Sequence, residues 1–448
     1  MESMEINTVP VEETVIAPPK PVAKAVAPPD KHIWGIYIFL VLISIVELYS
    51  ASSREVASSS MGVLGPVFRH LLMLVAGCCI MLGLQRIHYA KLMGWVHIFA
   101  FISAAMMVYV MVAGDVVNGA RRSFSLLRIT IQPSEFLKLA AVLVIAKYTA
   151  RHMEANGGVR NSGIIFPAAL VLMFGGLLIQ QGMTNTILLM GISLSMMLIS
   201  GIQIKKIAVV LGVYGVFAAM GMLYHIASDD KATPAPQEAQ VEQVVASTGE
   251  PVEQSSGLFG RFGTWGSRLS RHFNPVPPYQ QELNAKNRQE QYAYMAQANG
   301  GVFGVFPGNS RETARLPLAF SDYIYAIIIE DMGLIGGLFV IVLYLWLLGR
   351  AAAITFTTKH ALPALLVLGL AVMIVFQALF HMAIVSGFFP VSGQPLPLIS
   401  KGGTSILITS IAFGIMLSVS RFAARKKTAA EDSNALPEDM NAKNPSML

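Results

Sequence analysis

The stretch from Gly300 to Gly337, GGVFGVFPGNSRETARLPLAFSDYIYAIIIEDMGLIGG, decides the fold. It opens Gly-rich and polar, then becomes a long apolar helix. Asp322 sits at the change, just ahead of YIYAIII, and Glu330 and Asp331 follow in the same helix. An apolar run of this kind predicts a membrane helix. A carboxylate at its mouth is costly to bury, which makes Asp322 a candidate functional residue.

The rest of the chain shares this character. Of its 448 residues, 54% are hydrophobic and 13% charged, with a mean hydropathy of +0.58. That excludes an ordinary soluble domain and points to a polytopic membrane protein. Cys78 and Cys79 are adjacent in an apolar run, poorly placed to bridge each other, so no disulfide framework is expected. The net charge is +6. The basic residues lie in short loops between apolar runs, so topology accounts for them and no nucleic acid is expected.

Ten apolar runs approach bilayer length: 33–51, 67–85, 93–113, 134–150, 163–180, 183–201, 205–226, 321–349, 361–386 and 403–423. They predict an all-α polytopic membrane protein of about ten transmembrane helices, with one long extracytoplasmic loop between helices 7 and 8. Residues 1–32, rich in Pro, Val and Ala, read as a disordered cytoplasmic tail and not as a cleavable signal. Residues 33–226 carry helices 1–7, 227–320 the large outer loop, 321–425 helices 8–10, and 426–448 a cytoplasmic tail. Basic residues follow every even-numbered helix: Arg86 and Lys91, Arg151 and Arg160, Lys205 and Lys206, Arg350 and Lys359, then Arg421, Arg425, Lys426 and Lys427. Both termini are therefore expected in the cytoplasm.

Four outward elements are polar. The first, NGARRSFSLLRITIQPSEF (118–136), carries Arg121, Arg122 and Arg128 against the topology rule. An anionic ligand such as a phosphate is the favoured reason, over an exposed loop that binds nothing. The next helix opens with Gln132, Pro133, Ser134 and Glu135, with Pro in its first turn and Ser as its cap. Glu135 and Lys138 share one face. Spacing leaves two roles open for them, an ion pair that holds the helix end or a substrate contact.

The second element is the hairpin Gln180–Asn185, the third the Asp322 helix mouth. The fourth, FFPVSGQPLPLISKGGTSI (388–406), holds three prolines and three glycines with Ser400, Lys401, Thr404 and Ser405. Such a loop must line a cavity or pack inside the protein. Its amides and Lys401 suit an anion at the start of the last helix. Converging, the four would make a cationic pocket with one exposed carboxylate, suited to a phosphate-bearing, lipid-linked substrate. Within the large loop, the first third is low in complexity and reads as disordered. GLFGRFGTWGSRLSRHF (257–273) reads as a basic amphipathic helix, on the membrane surface or packed on the protein's own loops. A polar helix is expected just before Gly300.

Three of these segments resemble motifs of the SEDS family, the ten-helix peptidoglycan polymerases FtsW, RodA and SpoVE. GARRSFSLLRITIQPSEFLKLA resembles the family's G-A-(R/K)-R-W…Q-P-S-E-F-x-K. GGVFGVFPGNSRETARLPLAFSDYIYAIIIEDMG resembles G-G…G-x-G-N-S…L-P-E-A-H-T-D-F-I-F-A…E-E-x-G, and FFPVSGQPLPLISKGGTSI resembles L-L-P-x-x-G-x-x-L-P-F-I-S-Y-G-G-S-S. The likeness covers about residues 33–425 and leans to the division member FtsW, with Pro390–Pro397 also similar to the elongation member RodA.

The resemblance implies polymerisation of lipid II into glycan strands at the outer membrane face. It puts the family's essential aspartate on Asp322 as general base and gives the substrate pyrophosphate to Arg121 and Arg122. Gln132, Ser134, Glu135 and Lys138 fall on the polar start of the fourth helix. Ser400, Lys401, Gly402, Gly403, Thr404 and Ser405 fall on the Ser-x-Gly-Gly-Ser-Ser motif, all as substrate-binding candidates, with Glu330 in support. It implies a class B penicillin-binding protein (transpeptidase), divisome proteins and membrane lipid as partners. A divalent cation, Mg²⁺ or Mn²⁺, is expected at the pyrophosphate, its ligands unassigned. The rival functions are a lipid-linked precursor flippase and a non-catalytic division scaffold.

Departures stand out. The family's hairpin aspartate falls on Gly182, the Trp after the paired basic residues is Ser123, the Glu after Leu-Pro is Leu318, the His is Phe320 and the Tyr of S-Y-G-G is Lys401.

Overall fold

The computed structural model describes residues 28–51, 64–117, 120–126, 129–154, 158–179, 181–229, 287–313, 315–316, 320–358, 360–390 and 393–434. Among them, each of the ten apolar runs forms a long helix. These are α1 (Lys31–Ala51), α2 (Leu64–Leu84), α4 (Val96–Ala113), α5 (Pro133–Arg151), α6 (Ser162–Ile179), α7 (Met183–Ile199), α8 (Ile204–Asp229), α10 (Ile324–Thr357), α11 (Ala361–Val385) and α12 (Gly403–Asn434). Seven of the ten are long and apolar enough to cross a membrane. The third run is preceded by a separate turn of helix, α3 (Tyr89–Gly94), which His88 caps by accepting a hydrogen bond from the Ala90 N–H. The polar helix expected before Gly300 is α9 (Arg288–Gly300). The stretch at 257–273 and the low-complexity segment before it lie outside the described residues.

The bundle is organised around α5, which packs against α4, α6, α7 and α11. Leu137 through Ala146 are all buried in it. A helix enclosed on every side must satisfy its own polar residues within the protein, since neither lipid nor water reaches them.

Two features differ from the sequence reading. The loop before α5 is a three-stranded antiparallel sheet of β1 (Asp115–Val117), β2 (Ala120–Leu126) and β3 (Ile129–Ile131). Val116 pairs with Arg121 and Phe124 with Ile131. Val, Ile, Phe and Thr in these strands suit a pleated ribbon, and strands of three to seven residues are too brief to show a clear period. The start of α5 also shifts. Pro133 occupies its first turn and Gln132 is the N-cap residue, so Ser134 is not the cap. Instead Ser134 lies inside the first turn, fully buried.

The helix that carries Asp322 at its mouth is broken. At Gly333, φ is 71° and ψ −175°, a conformation open to glycine. The carbonyls freed there are taken by the neighbouring loop: Val305 N–H donates to Glu330 O and Phe306 N–H to Asp331 O, each at 2.9 Å. In return, Leu334 N–H donates to Gly301 O at 3.0 Å and Ile335 N–H to Val302 O at 3.3 Å. A Cβ on Gly304 would lie 2.3 Å from Asp331 O, so only a glycine lets the loop approach this closely. The glycines at both ends of the deciding stretch thus serve one contact.

Candidate functional site

The loop from Gly393 to Gly402 re-enters the protein, and membrane helices satisfy its backbone. His381 Nδ1 of α11 lies 2.6 Å from Gln394 O, Gln377 donates to Pro395 O at 3.4 Å, and the Tyr344 hydroxyl of α10 donates to Pro397 O. Ser44 of α1 donates to Ile399 O at 3.0 Å and also meets His70 Nε2 at 2.8 Å. The Gln394 side chain donates to Asn185 Oδ1 of α7 at 2.9 Å. Leu398, fully buried, takes φ +65°, a costly conformation for a branched residue that this dense bonding imposes.

On this platform sits the segment leading into α10. The Lys401 N–H donates to Phe320 O at 2.9 Å, and the Ser400 hydroxyl donates to Ser321 O at 2.8 Å while accepting from the Leu396 N–H at 2.7 Å. The Lys401 ammonium stands 4.6 Å from the centre of the Phe320 ring, a cation–π contact. Two of the departures from the family motifs, Phe320 and Lys401, therefore pair with each other.

Asp322 keeps partial exposure at the edge of this platform. Its Oδ1 accepts from the Ser321 hydroxyl at 2.9 Å. A Cβ built on Gly393 would lie 2.9 Å from Asp322 Oδ2 and 3.3 Å from Arg122 Nη1, so carboxylate, guanidinium and re-entrant loop meet at one point. Burial pushes the Asp322 carboxyl above its ordinary value, opposed by the Ser321 hydrogen bond and the Arg122 charge.

Arg122 comes from β2, whose main chain is held by Gln181 donating to Arg122 O at 3.3 Å. Gly182, in place of the hairpin aspartate, has φ +150° and lies beside Arg122 Nη2. The four polar elements singled out in the sequence do converge here. Arg121 belongs to the same strand, but its side chain, like Arg128 and Gln180, lies outside the described residues.

The other candidates form the support. Glu135 and Lys138 make an ion pair at 2.7 Å, 3% and 1% exposed, and Gln377 donates to the second Glu135 oxygen at 3.2 Å. The pair thus ties α5 to the residue that holds Pro395. Of the two roles left open, the structure places both side chains in the ion pair, enclosed by the bundle. Thr404 donates to Thr130 O at 2.8 Å and accepts from the Gln132 N–H at 3.2 Å, joining α12 to β3 and α5. Ser405 is buried in the first turn of α12, while Gly402 and Gly403 at its N-terminus stay partly exposed.

Glu330 holds the Gly308–Asn309–Ser310 loop. Its carboxylate accepts from the Ser310 hydroxyl, from Arg311 N–H at 3.0 Å, from Glu312 N–H at 3.3 Å and from Asn299 at 3.5 Å. Gly393, on the glycine of the L-L-P-x-x-G motif, was not singled out in the sequence, and Gln377, His381, Gln394 and Ser44 were missed. The available signal was a polar residue inside an apolar run, as with Gln377 and His381 one turn apart on α11.

The donor set at the site is one carboxylate beside a guanidinium. Among the described residues, no three His, Cys, Asp or Glu side chains converge. These residues do not form a cage for a divalent cation, so no step below runs through one.

The profile of the FtsW, RodA and SpoVE group, described as "Cell cycle protein", matches residues 30–257 and 267–425. The chain belongs to the FtsW/RodA/SpoVE family. Among curated relatives, this family member is 26% identical over 402 residues to stage V sporulation protein E of Bacillus subtilis, covering 88% of this chain and 97% of that one. It is 28% identical over 387 residues to a probable peptidoglycan glycosyltransferase FtsW of Trichlorobacter lovleyi, covering 86% and 91%.

Solved structures share the fold. Rod shape determining protein RodA of Thermus thermophilus matches with a TM-score of 0.58 at 20% identity, over 88% of this chain and 97% of that one. A chain of a peptidoglycan synthase complex, solved to describe how polymerization and crosslinking are coordinated, matches with a TM-score of 0.60 at 21% identity, over 88% and 98%.

Proposed function

We propose that this family member is a peptidoglycan glycosyltransferase that polymerises lipid II at the outer face of the cytoplasmic membrane. The observation that carries this reading is the meeting of Asp322 and Arg122 at the mouth of α10. Asp322 takes the proton of the acceptor sugar hydroxyl, and the freed oxygen attacks the anomeric carbon of the donor. The bond from that carbon to the pyrophosphate oxygen breaks, and its electron pair leaves on the pyrophosphate. Arg122, with Arg121 in the same strand, meets the growing negative charge. A carboxyl raised by burial is a better base than an ordinary aspartate, and the Arg122 charge opposes that rise. Lys401 adds a cation at the edge of the same site.

The distribution of basic loops supports a topology with both termini in the cytoplasm and the site outside. The family's naming favours cell division and a septal location, with a class B penicillin-binding protein cross-linking the new strand and divisome proteins nearby. A divalent cation would act only through substrate phosphates.

Strand formation from purified lipid II, resolved on a gel, tests the reading. Wild type, alone or with its co-purified transpeptidase, is expected to make strands, and equally folded Asp322→Ala none. Strands from both proteins would remove Asp322 from the chemistry. Lipid II translocation in vesicles without strand formation would move the function to a flippase.

A further inference from the structure

Gly393 stands on the glycine of the L-L-P-x-x-G motif, which gives it no role; the structure does. Its φ lies outside the left-handed region, so its backbone does not call for glycine. Space does. The spot its side chain would fill is already crowded by Asp322 Oδ2 at 2.9 Å, Asp322 Cγ at 3.4 Å and Arg122 Nη1 at 3.3 Å.

Both sides of this contact are pinned. On the loop side, the next residue, Gln394, is held by its carbonyl to His381 and by its side chain to Asn185, and Pro395 by Gln377. On the other side, Ser321 is held by Ser400, and Phe320 by the Lys401 N–H. With the backbone held on these flanks, an added methyl is met first by movement of the carboxylate and the guanidinium, the far ends of flexible side chains.

We propose that Gly393 is a positioning residue whose missing side chain lets the base and the leaving-group cation close on one point. The proposal rests on the glycosyl-transfer reading for its kinetic consequence, not for its geometry. In Gly393→Ala, the methyl drives between Asp322 and Arg122. The proton acceptor then no longer faces the acceptor hydroxyl while the arginine faces the pyrophosphate, though the lipid-linked substrate still docks through the rest of the site.

The test uses the full chain co-purified with its transpeptidase and lipid II as the probe. For Gly393→Ala, kcat is expected to fall about 100-fold with KM within about three-fold of wild type. The acid limb of the kcat profile is expected at higher pH, because a more distant arginine holds the Asp322 proton less weakly bound. Wild-type kcat and an unmoved acid limb would overturn the proposal.

A melting-temperature cycle covers the case in which the variant folds poorly. Asp322→Ala removes the atoms the methyl would strike, so Gly393→Ala must cost less stability in that background than in wild type. Equal losses in both backgrounds overturn the contact. If wild type itself makes no strands, the glycosyl-transfer reading fails, and the melting cycle alone decides the role of Gly393.

Discussion

Two carboxylates, Asp322 and Glu330, lie eight residues apart on the same chain segment, and the protein treats them in opposite ways. Glu330 is 0% exposed and collects donors from Asn299, Ser310, Arg311 and Glu312. Asp322 keeps an open face, one hydroxyl from Ser321 and one facing cation, Arg122. A carboxylate whose acceptor positions are all filled by its own protein is structural, because none remain for a substrate. One that is left part-bonded and part-desolvated is poised to take a proton. Asp331, also 0% exposed and next to Glu330, takes none of the loop amides, which turn to its neighbour, and has the Ser50 hydroxyl beside it.

The largest expected effect tests the open carboxylate. Asp322→Asn should lower strand formation by about 1,000-fold, read on the lipid II gel. The same variant should melt at or above the wild-type temperature. The folded protein raises the Asp322 pKa, so it favours the neutral form, and at neutral pH the ionised form costs stability that Asn does not. A clear drop in melting temperature would place Asp322 with Glu330 as a structural group.

Arg122→Ala should cost about 100-fold in kcat through lost charge stabilisation at the leaving group. A rise in KM with kcat unchanged would instead assign it to uniform binding of the substrate.

Glu330→Gln should do the reverse of Asp322→Asn. It turns an NH₂ towards donors that need an acceptor and should cost about 3 kcal/mol of stability, measured by denaturant unfolding in detergent. Activity per folded molecule should stay close to wild type. Activity lost without any loss of stability would break the comparison from the other side.

The pH profile sharpens it further. Asp322 must be ionised to act, so kcat should fall as pH drops through a value above the ordinary aspartate range. The limb should be absent from the residual rate of Asp322→Asn. The smallest effect is Ser310→Ala, which removes one of the donors to Glu330 and should cost about 1 kcal/mol with strand formation unchanged.

Much of the architecture was readable in the chain because membrane helices announce themselves by length and apolarity. Each of the ten runs lies on a described helix, and the polar loops between them carry the side chains that meet at Asp322. The pairing of β1 with β2 and β3 was not readable, since strands of three to seven residues carry too little periodicity. Nor was the break at Gly333, because glycine is common in membrane helices and a kink depends on what lies alongside.

The sequence by itself determined the membrane bundle, its polar loops and Asp322 as the carboxylate to watch, since these follow from local composition and spacing. Only the tertiary structure decided which polar residues meet. It sent Glu135 and Lys138 to each other, Ser400 to Ser321 and Glu330 to the Ser310 loop, and it left Asp322 facing Arg122 across the bare Gly393. The physical reason is that a buried polar group takes whichever partner the fold brings within hydrogen-bond reach, and those partners lie from three to more than two hundred residues away along the chain.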